Sequence, residues 1–172
     1  MTLRLTEIRD LAYRFVPGTA ADSRFYGYGP HSWWPAHEIG HFLVASRAEC
    51  RQPLFGLDFY AARASRSSAD QEYRYVISRE IAAISVSQRM LRRSGHTCLA
   101  NEEIEYTDEN TLECGYERWC KRAVDKLLRV HRIVRLPATF EGLEALLTRK
   151  TREVGTTCSR RAAETGQACQ TN

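Results

Sequence analysis

The stretch Ser32-Trp33-Trp34-Pro35-Ala36-His37-Glu38-Ile39-Gly40-His41-Phe42-Leu43-Val44 decides how the rest of this chain is read. Serine is a good N-cap, and Pro35 is tolerated in a first turn, where its missing N–H has no helical partner. The stretch predicts a helix from about Ser32 to Arg47. On a helix, residues four apart sit one above the other on one face. His37 and His41 then aim two imidazoles at one point, and two neutral imidazole nitrogens at that separation can grip one zinc ion. Glu38 follows the first histidine, so it projects beside the ion rather than onto it. Zinc lowers the pKa of a water to about 7, and Glu38 can accept that proton and pass it to a leaving amine. A lysine at 38 could not act as this base, and a leucine at 41 would lose the metal. Ile39, Phe42 and Leu43 lie off the metal face and are expected in the core. Gly40 costs about 1 kcal/mol of helix propensity relative to alanine, which points to a second backbone passing close by. With five histidines in the chain, His-Glu-x-x-His is expected by chance on the order of 0.01 times.

Catalytic zinc usually takes three protein ligands and keeps one open position. The extended metzincin pattern needs glycine at 44 and histidine at 47, where this chain has Val44 and Arg47. A carboxylate from a later helix is the remaining solution, with Asp70, Glu72 and Glu80 as candidates. Tyr73, Ile77, Ile84 and Leu91 mark an apolar stripe at helical steps, and Glu80 falls on it. A lone carboxylate on a buried stripe is costly unless it is paired or binds metal. Glu72 lies near a helix start, where an acid suits the dipole. Phase therefore favours Glu80; an ion pair of Glu80 with Arg47 is the bland alternative.

Outward from this motif the chain reads as mainly α, with at most a small sheet, although an α+β fold is allowed. Apolar residues at 5, 8, 11, 12 and 15 predict a helix ended by Pro17-Gly18. Residues 48–70 look irregular, with a short strand allowed at Leu54–Tyr60. Helices are expected over about Asp70–Arg93, stopped by Gly95, over about Tyr116–Val134, broken by Pro137, and from a Thr139 cap to about Lys150. Residues 96–114 read as a polar, acidic connection. Residues 1–153 form one expected domain, and 154–172 a disordered tail.

Residues 101–117 hold seven acids and no lysine or arginine; residues 118–135 hold seven bases against Asp125 alone. Mutual neutralisation is the favoured reading, and a basic helix meeting nucleic acid the sharper one. The six cysteines form no Cys-x-x-Cys pair, and Cys98, Cys114 and Cys120 match no zinc-ribbon spacing. No run of about 18 apolar residues occurs, and the start carries no secretory signal, so a cytoplasmic protein off the membrane is expected. Oligomeric state is not legible.

The segment Ala36–Val44 resembles the active-site helix of gluzincin-type metallopeptidases, and among them the ImmA/IrrE group of small intracellular peptidase-like proteins. In that group an Ala-His-Glu-x-Gly-His helix precedes a second helix whose acidic ligand stands near an alanine-rich stretch. Glu80-Ile81-Ala82-Ala83-Ile84-Ser85 occupies a comparable place here, while Gln88-Arg89-Met90-Leu91 stands where the group has Leu-Met-Pro. The resemblance spans roughly residues 32–93. It implies a zincin-like helical domain, a zinc site of His37, His41 and Glu80 with Glu38 as base, and cleavage of a protein or peptide substrate. A regulatory or binding module that keeps this scaffold without catalysis is the competing expectation.

Overall fold

In the computed structural model, residues 2–16, 19–20, 29, 31–46, 70–110, 118–133 and 135–165 are described, with only the backbone for 70–77, 104–110, 118–121, 123–124 and 155–165. They form six helices: α1 (Leu5–Phe15), α2 (Trp34–Val44), α3 (Asp70–Arg93), α4 (Thr97–Asn110), α5 (Arg118–Val130) and α6 (Phe140–Thr165). No strand occurs among the described residues, so the mainly α reading holds. The segment Leu54–Tyr60 lies outside them.

Every residue of α2 is buried, from Trp34 to Val44. A helix apolar around most of its circumference must be wrapped by others. Here α3 is its main neighbour and α1 lies on another side. In turn α3 packs against α4 and α5, and α1 reaches α6. Ile39, Phe42 and Leu43 sit in the shared core with Leu11, Val86, Met90, Leu143 and Leu147.

The start of α2 differs from expectation. Its N-cap is Trp33, not Ser32, and no side chain caps it. Burial of Trp33 and Trp34 sets the entry point, and Pro35 removes one of the N–H groups that a cap would have served. At its other end, two cations meet the last carbonyls. The Arg79 guanidinium donates to Val44 O at 2.8 Å, and the Lys150 ammonium to Ala45 O at 2.6 Å. Buried carbonyls need such partners, and cations suit a helix C-terminus.

Helix α3 runs over the expected residues. Gly95 stops it at φ 82°, with His96 N–H bonded to Leu91 O at 2.8 Å and Gly95 N–H to Arg92 O at 3.1 Å. That pattern is a Schellman motif. The same motif ends α5 earlier than Pro137 would, with Arg132 at φ 55° and Ile133 N–H bonded to Leu128 O at 3.0 Å. Leu128 and Ile133 are both buried, which anchors the turn.

Two readings are corrected. Residues 96–114 are no mere connection, because α4 fills Thr97–Asn110. Ala100 and Glu103 are buried on it while Asn101 and Glu102 face solvent. Its acids masked this sparse inward face. Thr139 does cap α6, its Oγ1 accepting from Gly142 N–H at 3.2 Å. The helix then continues past the expected end near Lys150 to Thr165.

Candidate metal centre

Close approach of two backbones sets the geometry. A Cβ on Gly40 would collide with the Ala83 carbonyl oxygen and lie 3.0 Å from the Ala83 carbonyl carbon and Cα. Glycine is therefore what lets α3 lie against α2 at this level, as the sequence suggested. Glu80 is one helical turn before Ala83, and His37 and His41 flank Gly40. The approach thus carries the Glu80 carboxylate to the histidine face.

There, the two imidazoles meet through their Nε2 atoms at 2.9 Å. Glu80 places Oε1 3.3 Å from His41 Nε2 and Oε2 3.5 Å from His37 Nε2. Donors sharing one tetrahedral ion at about 2.0–2.2 Å stand roughly 3.3–3.5 Å apart; the two Glu80 contacts fall in that range, and the imidazole nitrogens stand closer than it. His37, Glu38 and His41 also bring one ligand atom each to within 4.8 Å of one another. Glu80 lies near both Nε2 atoms, which suits a ligand, and Glu38 brings an oxygen within 4.8 Å of the same histidine pair. Arg47, the alternative partner of Glu80, lies outside the described residues, as do the side chains of Asp70 and Glu72.

The site is dry. His41 is fully buried, Glu38 is 1% exposed, and His37 and Glu80 are 5% and 8% exposed. Trp34 stacks on the His37 ring, with centroids 5.6 Å apart and planes 20° apart, and Trp33 meets it edge-on at the same separation. On the far side of the ring, His37 Nδ1 donates to Glu103 Oε1 at 3.0 Å, and Glu103 is fully buried. Sequence reading missed Glu103 because its neighbours are acids. The signal was its position three residues beyond Ala100 on one helical face.

Burial alone would lower the His37 pKa, but hydrogen bonds to Glu103 and Glu80 raise it to about 10. Burial likewise works to raise the Glu80 carboxyl, while His41 and His37 hold it well below the usual carboxylate range. Three buried carboxylates around two imidazoles are costly without compensating positive charge. One proton on His37 offsets one of them. A divalent cation between the Nε2 atoms would offset two, and the donor set of two imidazoles and a carboxylate suits zinc.

Among the remaining histidines, His31 is exposed and the His96 ring lies 3.3 Å from the Leu3 carbonyl through Nε2. No protein-family model, curated protein or solved structure matches the chain. No helix among the described residues is long and apolar enough to cross a membrane.

Proposed function

We propose that this chain is a zincin-like, zinc-dependent peptidase of the cytoplasm that hydrolyses a peptide bond in a protein or peptide substrate. The observation that carries this reading is the Glu80 carboxylate set against both Nε2 atoms, with Glu38 buried alongside. His37, His41 and Glu80 would hold the ion. Zinc bound there would acidify a water to a pKa near 7 and polarise the substrate carbonyl. The Glu38 carboxylate would take the proton from that water and hand it to the leaving amine nitrogen. Trp34 and Trp33 fix the His37 ring and keep solvent from it. Burial strengthens each of these interactions, because little water screens them.

The test combines metal analysis with one substitution. Purified wild-type protein should carry one zinc per chain and cleave members of a peptide library read by mass spectrometry. Glu38→Gln should keep the zinc and lose on the order of 10²–10⁴-fold in rate, the usual contribution of a positioned base. Absence of zinc from the wild type would refute the reading.

A second reading rests on α5, where Arg122, Lys126 and Arg129 are exposed at steps of four and three. Such a face suits a phosphate backbone, and a non-catalytic nucleic-acid-binding module would use it. Binding to duplex DNA that weakens steeply with salt, together with an inactive metal site, would favour this reading over the peptidase.

A further inference from the structure

Helix α4 contributes a buried acid that the proposed chemistry does not use. Glu102 on the same helix is exposed, whereas Glu103 has no exposed surface and meets the His37 ring at Nδ1. We propose that Glu103 is a positioning residue: it accepts a hydrogen bond from His37 Nδ1–H and thereby keeps Nε2 turned toward the ion as the ligating nitrogen. This inference rests on the metal-centre reading.

Three observations carry it. The first is the contact itself, Nδ1 to Oε1 at 3.0 Å between two buried groups. A neutral imidazole carries one N–H, and the partner of that N–H decides which nitrogen keeps its lone pair. With the proton at Nδ1, the free lone pair is at Nε2, the atom that meets His41 and Glu80.

The second is the stacking of Trp34 on the same ring. Stacking fixes the plane of the imidazole but not which edge faces the ion, because a half-turn about the Cβ–Cγ bond leaves the plane unchanged. A half-turn would present carbon instead of Nε2. Glu103 removes that freedom, since only one of the two orientations keeps the hydrogen bond. Tryptophan and glutamate thus fix two different degrees of freedom of one ligand.

The third is the cost of the placement. A carboxylate in a dry interior is unfavourable unless a partner of opposite charge compensates it. Through His37, Glu103 is coupled to the cation, and its negative charge strengthens the imidazole as a ligand. Groups placed in this way typically change metal affinity 10- to 100-fold. One consequence is that docking of α4 and metal affinity are linked.

The experiment compares zinc dissociation constants, by competition with a chromophoric chelator, for wild type, Glu103→Gln, Glu103→Ala and Glu102→Gln. Cobalt-substituted samples supply the visible ligand-field spectrum, and urea unfolding of metal-free samples reports the scaffold. Glu103→Gln keeps an acceptor but no charge and should bind zinc about 10-fold more weakly. Glu103→Ala should lose about 10- to 100-fold and shift the cobalt bands. Glu102→Gln should match the wild type. A purely structural role predicts the reverse: lower urea midpoints with unchanged affinity and spectrum, and that result would overturn the inference while leaving the metal centre standing. A wild type that takes up no zinc or cobalt would instead overturn the metal centre and this inference with it. Should Glu103→Ala fail to fold, the isosteric Glu103→Gln decides.

Discussion

Without metal, His37 carries a proton at neutral pH, because Glu103 and Glu80 outweigh burial and raise its pKa from 6.5 to about 10. That raised pKa stabilises the metal-free fold fully below pH 6.5, and the contribution disappears as pH rises through 10. Glu80 acts with the opposite sign. Its pKa is lowered, so its contribution is present above 4.5 and is lost as pH falls. Zinc must displace the His37 proton to reach Nε2. Metal affinity should therefore rise with pH up to about 10, and loading at pH 7 should release roughly one proton from this ring. Calorimetry in two buffers of different ionisation enthalpy counts that proton. A count of zero would mean that His37 does not ligate through a nitrogen protonated in the metal-free form. His37, Glu38 and His41 were legible in the sequence because helical geometry alone brings i and i+4 together. Glu80 was legible by phase, since an acid on an apolar stripe stands out. Glu103 was not, because an acid among acids carries no contrast.

Helix α2 owes its place to what surrounds it. Its C-terminus is held by Arg79 from α3 and Lys150 from α6, and its middle is pressed against α3 at Gly40. Gly40→Ala gains about 1 kcal/mol of helix propensity but drives a methyl into the Ala83 carbonyl, and overpacking of this kind costs about 1–3 kcal/mol. The net effect should be a loss of stability in urea unfolding. Because α3 must retreat, Glu80 withdraws from the imidazoles, and zinc affinity should fall in the same variant. A stabilised variant with unchanged affinity would show that the approach at Gly40 does not set the site. Helix α1 and helix α3 were readable to their ends, since periodicity, Gly95 and the approach to Pro17 all agreed. The start of α2 was not, because two buried tryptophans, rather than a capping side chain, fix it. The extension of α6 was likewise hidden, because Gly155-Thr156-Thr157-Cys158-Ser159 carry no apolar stripe.

At the scale of the molecule, the site draws on three helices: α2 supplies His37, Glu38 and His41, α3 supplies Glu80, and α4 supplies Glu103. A metal that bridges helices stabilises their packing by mass action. At a free zinc concentration of about 100 times the dissociation constant, the gain is about 2.7 kcal/mol. For a chain of this length, roughly 2–4 °C accompanies each kcal/mol, so chelation should lower the melting temperature by about 5–10 °C. Differential scanning calorimetry with and without chelator reads this directly, and no change would argue against a bridging ion. The central claim is that one zinc ion sits between His37, His41 and Glu80 with Glu38 beside it. An anomalous-difference map collected on crystals of the purified protein at the zinc absorption edge tests this claim most directly. The account predicts a single strong peak within ligand distance of both Nε2 atoms and the Glu80 carboxylate, with Glu38 outside that distance. No peak there, or a peak ligated by Glu38 in place of Glu80, would contradict it.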